Sequence, residues 1–267
     1  MQSGECCGKR FSPASFAPNA GSMIAKFPTL LAMPLLLLTG TACKPVEQQA
    51  DRPETSREFP RADRAVALSG DTQFSTEAAR DEAGEATKLM NWAEIAPGMT
   101  VADIGAGEGY YTVRLAERVG IRGRVLAQDI NRGALDRLGE RISRERLDNV
   151  AIKEGGIDDP RLPPNSFDRI FMVHMYHEVT EPYAFIWRLR SALKANGQVI
   201  VVDRNRATKQ HGIPPKLLFC EFEAVGYRLV EFAERPEVGA YFARFERKGK
   251  APAPAAIKTC KETAKRS

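Results

Sequence analysis

The chain has 267 residues and a formal net charge of +5, which allows one to two domains by length. Much of the charge sits at the ends. Lys250, Lys258, Lys261, Lys265 and Arg266 against Glu262 give the last 19 residues +4, the first 43 carry +2, and residues 44–248 are close to neutral at −1. This split argues against nucleic-acid binding as a main role, and composition excludes a disordered, collagen-like or polytopic membrane chain.

Residues 27–42 are almost free of charge and Leu-rich, with Lys26 just before them. The run is too short for a comfortable membrane span and has the form of a secretory signal. Its end, Leu38-Thr39-Gly40-Thr41-Ala42-Cys43, resembles the bacterial lipoprotein cleavage box, in which a lipidated cysteine becomes the mature N-terminus. Gly40 departs from that pattern, where an apolar residue is usual. Met23 is a more ordinary signal-peptide start than Met1. The expected organisation is a leader over 1–43, a linker over 44–75 rich in Arg, Glu, Gln and Pro, a folded domain over 76–248, and a basic disordered tail over 249–267. Of the five cysteines, at 6, 7, 43, 220 and 260, only Cys220 falls inside that domain. No disulfide framework or CxxC metal pair is therefore expected.

Residues 76–95 read as a helix that packs its last turns and is broken by Pro97-Gly98. Short β-branched runs then alternate with helical stretches, the pattern of βαβ units and a parallel sheet. Strands are expected at 100–104, 124–129, 150–153, 169–174 and 199–203, each apolar on both faces. Helices are expected at 111–119, 132–142 and 183–193, the last stopped by Asn196-Gly197. A helix over 216–225 and strands near 228–232 and 241–247 then close one edge as an antiparallel pair. The fold class is α/β: a Rossmann-like, seven-stranded, mostly parallel sheet with helices on both faces and an antiparallel last strand.

The strongest signal is Val101-Ala102-Asp103-Ile104-Gly105-Ala106-Gly107-Glu108-Gly109-Tyr110, at the junction of the first strand and the next helix. Glycines 105, 107 and 109 permit a tight turn and close backbone approach to a ligand, beside the unpaired N–H groups of a helix start. The spacing is GxGxG rather than the GxGxxG of dinucleotide sites. Asp103 would repel a pyrophosphate but suits the cationic amino-acid end of a ligand. Asp129 ends the second strand, where a carboxylate can accept from both ribose hydroxyls; capping the next helix is the plainer alternative. After the third strand, Glu154-Gly155-Gly156-Ile157-Asp158-Asp159 offers an Asp that could accept from an exocyclic amine, or Asp158 is a local acceptor in a polar turn.

The body resembles the class I S-adenosylmethionine-dependent methyltransferases. Val101-to-Tyr110 and the helix after it match the family's first motif, the Asp129 segment its second, and Phe167-Asp168-Arg169-Ile170-Phe171-Met172-Val173 its fourth. Leu193-Lys194-Ala195-Asn196-Gly197 is similar to the family's LKPGG segment, with Ala195-Asn196 replacing Pro-Gly. The resemblance implies S-adenosyl-L-methionine as cofactor, with Asp103, Gly105, Ala106, Gly107 and Gly109 at its methionine moiety, Asp129 at the ribose, Ile157 and Asp158 at the adenine, and Ile130 also among the cofactor-binding residues.

Ligands in open α/β sheets collect beyond the carboxyl ends of the strands, so His174-Met175-Tyr176-His177-Glu178-Val179 should border the acceptor. His177 is the candidate base and Tyr176 a candidate for orienting acceptor or methyl donor. The plainer alternative has His177 capping a turn and Tyr176 packed on the sheet. His174 and His177 with Glu178 offer too few ligands to call a metal site, and none is expected. Arg204, Arg206, Lys209 and His211 after the fifth strand fit an acidic acceptor less well than a solvated loop face. The reading is an exported or membrane-anchored enzyme that methylates a small molecule. The alternatives are a non-catalytic envelope protein that keeps the ligand pocket, or a cytoplasmic enzyme with a membrane-anchored N-terminus.

Overall fold

The computed structural model describes residues 51–66 and 76–262; the leader, Met23 and Cys43 lie outside the described residues. Helices α1 (Glu77–Glu82) and α2 (Glu85–Trp92) lead into β1 (Thr100–Ile104), α3 (Tyr110–Val119), β2 (Arg124–Asp129), α4 (Arg132–Glu145) and β3 (Val150–Glu154). Then follow β4 (Phe167–Val173), α5 (Pro182–Ala192), β5 (Leu193–Asp203), α6 (Pro215–Ala224), β6 (Tyr227–Arg235) and β7 (Ala240–Arg247). The strands form one sheet in the order β3-β2-β1-β4-β5-β7-β6. Strands β1 to β5 run parallel, and β7 inserts antiparallel between β5 and β6. This is the expected architecture.

The strand period of two distributes the core to both faces. Val101, Val125, Phe171, Ile200 and Val202 pack under α2 and α3, while Ala102, Ile104, Ile170, Met172, Val199 and Val201 pack under α5 and α6. Helix α4 begins at Asn131, whose side chain accepts from the Ala134 N–H at 3.1 Å, an N-cap. It buries Leu135 and Leu138 against Ala127.

Several local expectations give way. The first helix is split at Gly84, which sits at φ +63° and starts α2. Helix α5 ends at Ala192, before Asn196-Gly197, and those two residues belong to β5. β3 is largely exposed rather than covered on both faces, because it is the edge strand and the chain from β3 to β4 forms no helix among the described residues.

The larger differences concern the segments placed outside the domain. Residues 51–66 pack on the body through two buried ion pairs. Arg52 donates to Glu181 at 2.7 and 2.5 Å, and Arg64 donates to Glu221 at 2.9 Å with both side chains fully buried. Residues 249–262 are also held: Ile257 and Cys260 are buried in the core, the Cys260 N–H donates to the Tyr183 hydroxyl at 2.6 Å, and Cys220 and Cys260 form a disulfide. An isolated parallel bridge joins Asp63 to Lys261. Composition concealed these contacts, since Arg-rich and Lys/Ala/Pro-rich stretches look solvated unless their partners on α5 and α6 are known. Among the described residues no helix is long and apolar enough to cross a membrane.

Candidate active site

Strand order reverses between β1 and β4, so the carboxyl end of β1 is the switch point where α/β sheets bind ligands. The chain leaves β1 there through residues 105–109. Gly105 at φ +70° and Gly109 at φ +90° occupy left-handed backbone, and a Cβ on either would strike Met175 or Leu138. The N–H groups of Gly105 and Ala106 both donate to the Gln128 carbonyl, at 2.8 and 3.0 Å, tying the turn to β2.

Asp129 fastens the same turn. One carboxylate oxygen accepts from the Gly107 N–H at 2.8 Å and the other from the Asn131 N–H at 2.8 Å. The helix cap itself is Asn131, so the capping alternative for Asp129 is only partly met. A carboxylate has about four lone-pair sites, which leaves acceptor capacity for a diol. On the same edge, Ile130 and Ile157 are 51% and 42% exposed, unusual for large apolar side chains and suited to flanking a flat ring.

Asp103 lies beneath the turn, buried, and accepts from the Thr112 hydroxyl at 2.7 Å. Burial pushes its carboxyl up to about 7, the Thr112 bond opposes this, and the neighbouring charge of Asp129 adds to it. A cation arriving at this edge would meet a carboxyl that burial holds back from ionising and that the cation's own charge would help to ionise.

Asp158 does not take the place sequence reading gave it. Its carboxylate accepts from the hydroxyls of Thr55 at 2.5 Å and Ser56 at 2.9 Å and from Arg188 at 2.8 Å. Burial raises its pKa, but these bonds and the Arg188 charge hold it below the usual carboxylate value. The residue anchors the N-terminal segment, which a search confined to 76–248 could not find.

Beyond β4 the chain makes one 3-10 turn, Tyr176–Glu178. The expectation that Tyr176 orients a ligand fails here. Its hydroxyl donates to Glu221 at 2.7 Å, its ring packs on Phe222, and it is fully buried. Arg64 donates to the carbonyls of Tyr176, His177 and Val179 at 3.3, 3.0 and 3.1 Å, clamping the turn from the N-terminal segment. Burial pushes Glu221 up. Burial lowers the pKa of Arg64, but its partners, the charge of Glu221 foremost, together outweigh it and push it up.

His177 is held differently. Its Nδ1 lies 2.9 and 3.1 Å from the two carboxylate oxygens of the buried Asp203 at the end of β5. An ionised carboxylate only accepts, so the proton sits on Nδ1 and the Nε2 lone pair points away. An imidazole set in this way can take a proton or bind a metal, since both use that lone pair. The His211 ring meets it edge-on, with centroids 5.8 Å apart. His174, at φ +55°, is half-buried beside the turn, and burial lowers its pKa below the usual histidine value. Sequence reading missed Asp203 and left His211 on a solvated loop. The available signal was positional: Asp203 closes β5 as Asp129 closes β2.

Residues 101–197 match the family described as methyltransferase domain. A ubiquinone/menaquinone biosynthesis C-methyltransferase of Shewanella frigidimarina is 27% identical over 150 residues, covering 55% of each chain. The corresponding protein of Stenotrophomonas maltophilia is 31% identical over 122 residues, 43% of this chain and 46% of its own. This chain thus spans about half the length of the curated relatives it matches. Among solved structures, a SAM-dependent methyltransferase from Aquifex aeolicus superposes with a TM-score of 0.58 at 24% identity, over 62% of this chain and 91% of its own. That likeness shows a shared Rossmann-like fold.

Proposed function

We propose that the protein transfers a methyl group from S-adenosyl-L-methionine to a small-molecule acceptor, as a class I methyltransferase. The observation that carries this is the Asp129 carboxylate bonded to the Gly107 N–H at the switch point of the sheet, within the matched segment. The residues present fit the cofactor: Asp103 suits the ammonium, Asp129 retains lone pairs for the ribose hydroxyls, and Ile130 and Ile157 offer apolar surface to the adenine. Asp158 is left out, being committed to Thr55, Ser56 and Arg188. The cofactor supplies a methyl on a sulfonium, already a good leaving group, so the chain's own tasks are to align the acceptor and prepare its nucleophile. His177, fixed by Asp203 beyond β4, is the residue assigned to the acceptor side.

Incubating the protein with cell extract and methyl-labelled S-adenosylmethionine tests this by mass spectrometry. Labelled small molecules should appear with the wild type and drop sharply with Asp129→Ala. Cofactor binding without any labelled product would instead favour a ligand-binding protein of the envelope.

We also propose export. The Cys220–Cys260 disulfide supports an oxidising compartment, and the leader ends in a lipoprotein-like box at Cys43. Expressed in a bacterial host, the mature chain should begin at Cys43 and partition with membranes, and Cys43→Ser should block its processing or release it. N-terminal sequencing that finds another start would remove the lipid anchor.

A further inference from the structure

Three side chains from two separate segments meet beyond β4 and β5: His177, Glu178 and His211. One ligand atom from each lies within 4.8 Å of the others, and the Glu178 carboxylate stands 3.9 Å from His177 Nε2. Packing alone does not account for the set. His177 is 2% exposed, and its Nε2, like the buried Nδ1 of His211, has no hydrogen-bond partner. A buried polar atom left in that state costs about 1–3 kcal/mol, so two on neighbouring rings whose centroids lie 5.8 Å apart suggest a shared ligand.

A second feature points the same way. The Asp203 carboxylate on Nδ1 fixes both the tautomer and the direction of the Nε2 lone pair, as carboxylate partners do for metal-bound imidazoles. His211 is held at φ +56°, a conformation uncommon outside glycine and often found at functional sites. The carboxylates of Glu178 and Asp203 together match the charge of a dication.

We propose that His177 Nε2, the Glu178 carboxylate and His211 Nδ1 bind a divalent first-row transition ion, zinc foremost, with Asp203 as the orienting partner. Two imidazoles and a carboxylate are a donor set that zinc uses in catalytic sites, where a further position stays open. Bonds of about 2.0–2.2 Å space tetrahedral ligands by roughly 3.3–3.6 Å, so the three atoms need close in by only about an ångström, within reach of side-chain rotation. The binding claim is independent of the reading as a methyltransferase. Its role rests on that reading: at the acceptor edge, an acceptor oxygen or nitrogen would meet a Lewis acid instead of a bare imidazole base.

Titration of the full-length, oxidised chain with cobalt(II) tests the proposal, with zinc as competitor. One equivalent should bind with the visible bands of a nitrogen/oxygen site and without a thiolate charge-transfer band, which separates it from binding at Cys6, Cys7 or Cys43, and zinc should displace it. His211→Asn keeps a residue that tolerates the left-handed backbone and should weaken binding more than about 100-fold, while Asp203→Asn should weaken it about 10–100-fold, as loss of an outer-shell partner does. S-adenosylmethionine affinity of His211→Asn, measured on the same sample, should stay unchanged, so failure of the cofactor reading and failure of the metal site are told apart. If circular dichroism shows His211→Asn to be unfolded, Glu178→Gln answers in its place. A missing cobalt spectrum, a thiolate-dominated one, or wild-type affinity in the folded variant overturns the proposal.

Discussion

At the cofactor edge, around β1 and β2, the defining bonds join residues close in sequence: Asp103 to Thr112 across 9 positions and Gly107 to Asp129 across 22. Over the β4 and β5 half of the sheet, the contacts around the turn that carries His177 join Arg64 to Glu221 across 157 positions and Arg52 to Glu181 across 129. The first edge is made by a turn and two strand ends. The second is assembled by terminal segments folded back over the domain. The contrast predicts that damage to the long-range contacts lowers stability and leaves the glycine turn intact, while damage to the turn lowers cofactor affinity and leaves stability intact.

The largest effect should come from Arg64→Ala. It strands the buried Glu221 and frees three carbonyls of the turn that carries His177, and breaking a buried pair from one side costs about 3–5 kcal/mol. Urea denaturation should show this loss, with S-adenosylmethionine affinity of the folded fraction near wild type. A loss in cofactor affinity larger than the loss in stability would mean that the two edges are coupled. The disulfide follows. It closes a loop of sequence separation 40, for which chain entropy gives about 3–4 kcal/mol. Cys260→Ser, compared with wild type by thermal unfolding under oxidising conditions, should lose about that much, and adding reductant should bring the wild type to the variant's level but leave the variant unmoved.

Asp129→Ala acts on the other edge. It should weaken S-adenosylmethionine binding by about 1.5–3 kcal/mol, the range for a hydrogen bond to a charged group, with circular dichroism and the unfolding midpoint nearly unchanged because the residue ends a strand. Equal affinity in a folded variant would remove it from the ribose role.

A pH dependence gives a further test of the cofactor edge. Asp103 has its carboxyl raised to about 7 in the folded chain by burial, against an ordinary value near 3.9. Between about pH 4 and 7 the folded state therefore holds more protons than the unfolded one. The contribution of Asp103 to stability declines as pH rises through that window and is constant above it. Cofactor binding has the opposite slope, since a cationic ligand favours the ionised carboxyl. Affinity should rise by at most about tenfold per pH unit up to about pH 7, with a proton released on binding at pH 6. Asp103→Asn should flatten both trends, and calorimetry in buffers of different ionisation enthalpy reads the proton directly.

How much was legible in the sequence follows the same division. The glycine turn, Asp103 and Asp129 are readable because turn chemistry and strand ends are local, and the strand count follows from short β-branched apolar runs alternating with helical stretches. Asp158 was misread because its partners, Thr55 and Ser56, stand in a segment that composition marks as linker. Tyr176 was misread because Glu221 and Arg64 claim its hydroxyl and ring from distant positions. The Cys220–Cys260 pair was missed because a Lys/Ala/Pro-rich stretch gives no sign of the buried Ile257 and Cys260 within it. His177 was singled out by its place after β4, whereas Asp203 and His211 were not connected to it, because only the fold brings the ends of β4 and β5 together.

Calorimetric titration of the full-length, oxidised chain with S-adenosylmethionine at pH 8 tests the central claim most directly. The glycine turn fixed by Asp129 predicts saturable binding of one cofactor per chain, with adenosine competing for the same site. A folded protein, verified by circular dichroism in the same buffer, that takes up no S-adenosylmethionine would contradict it.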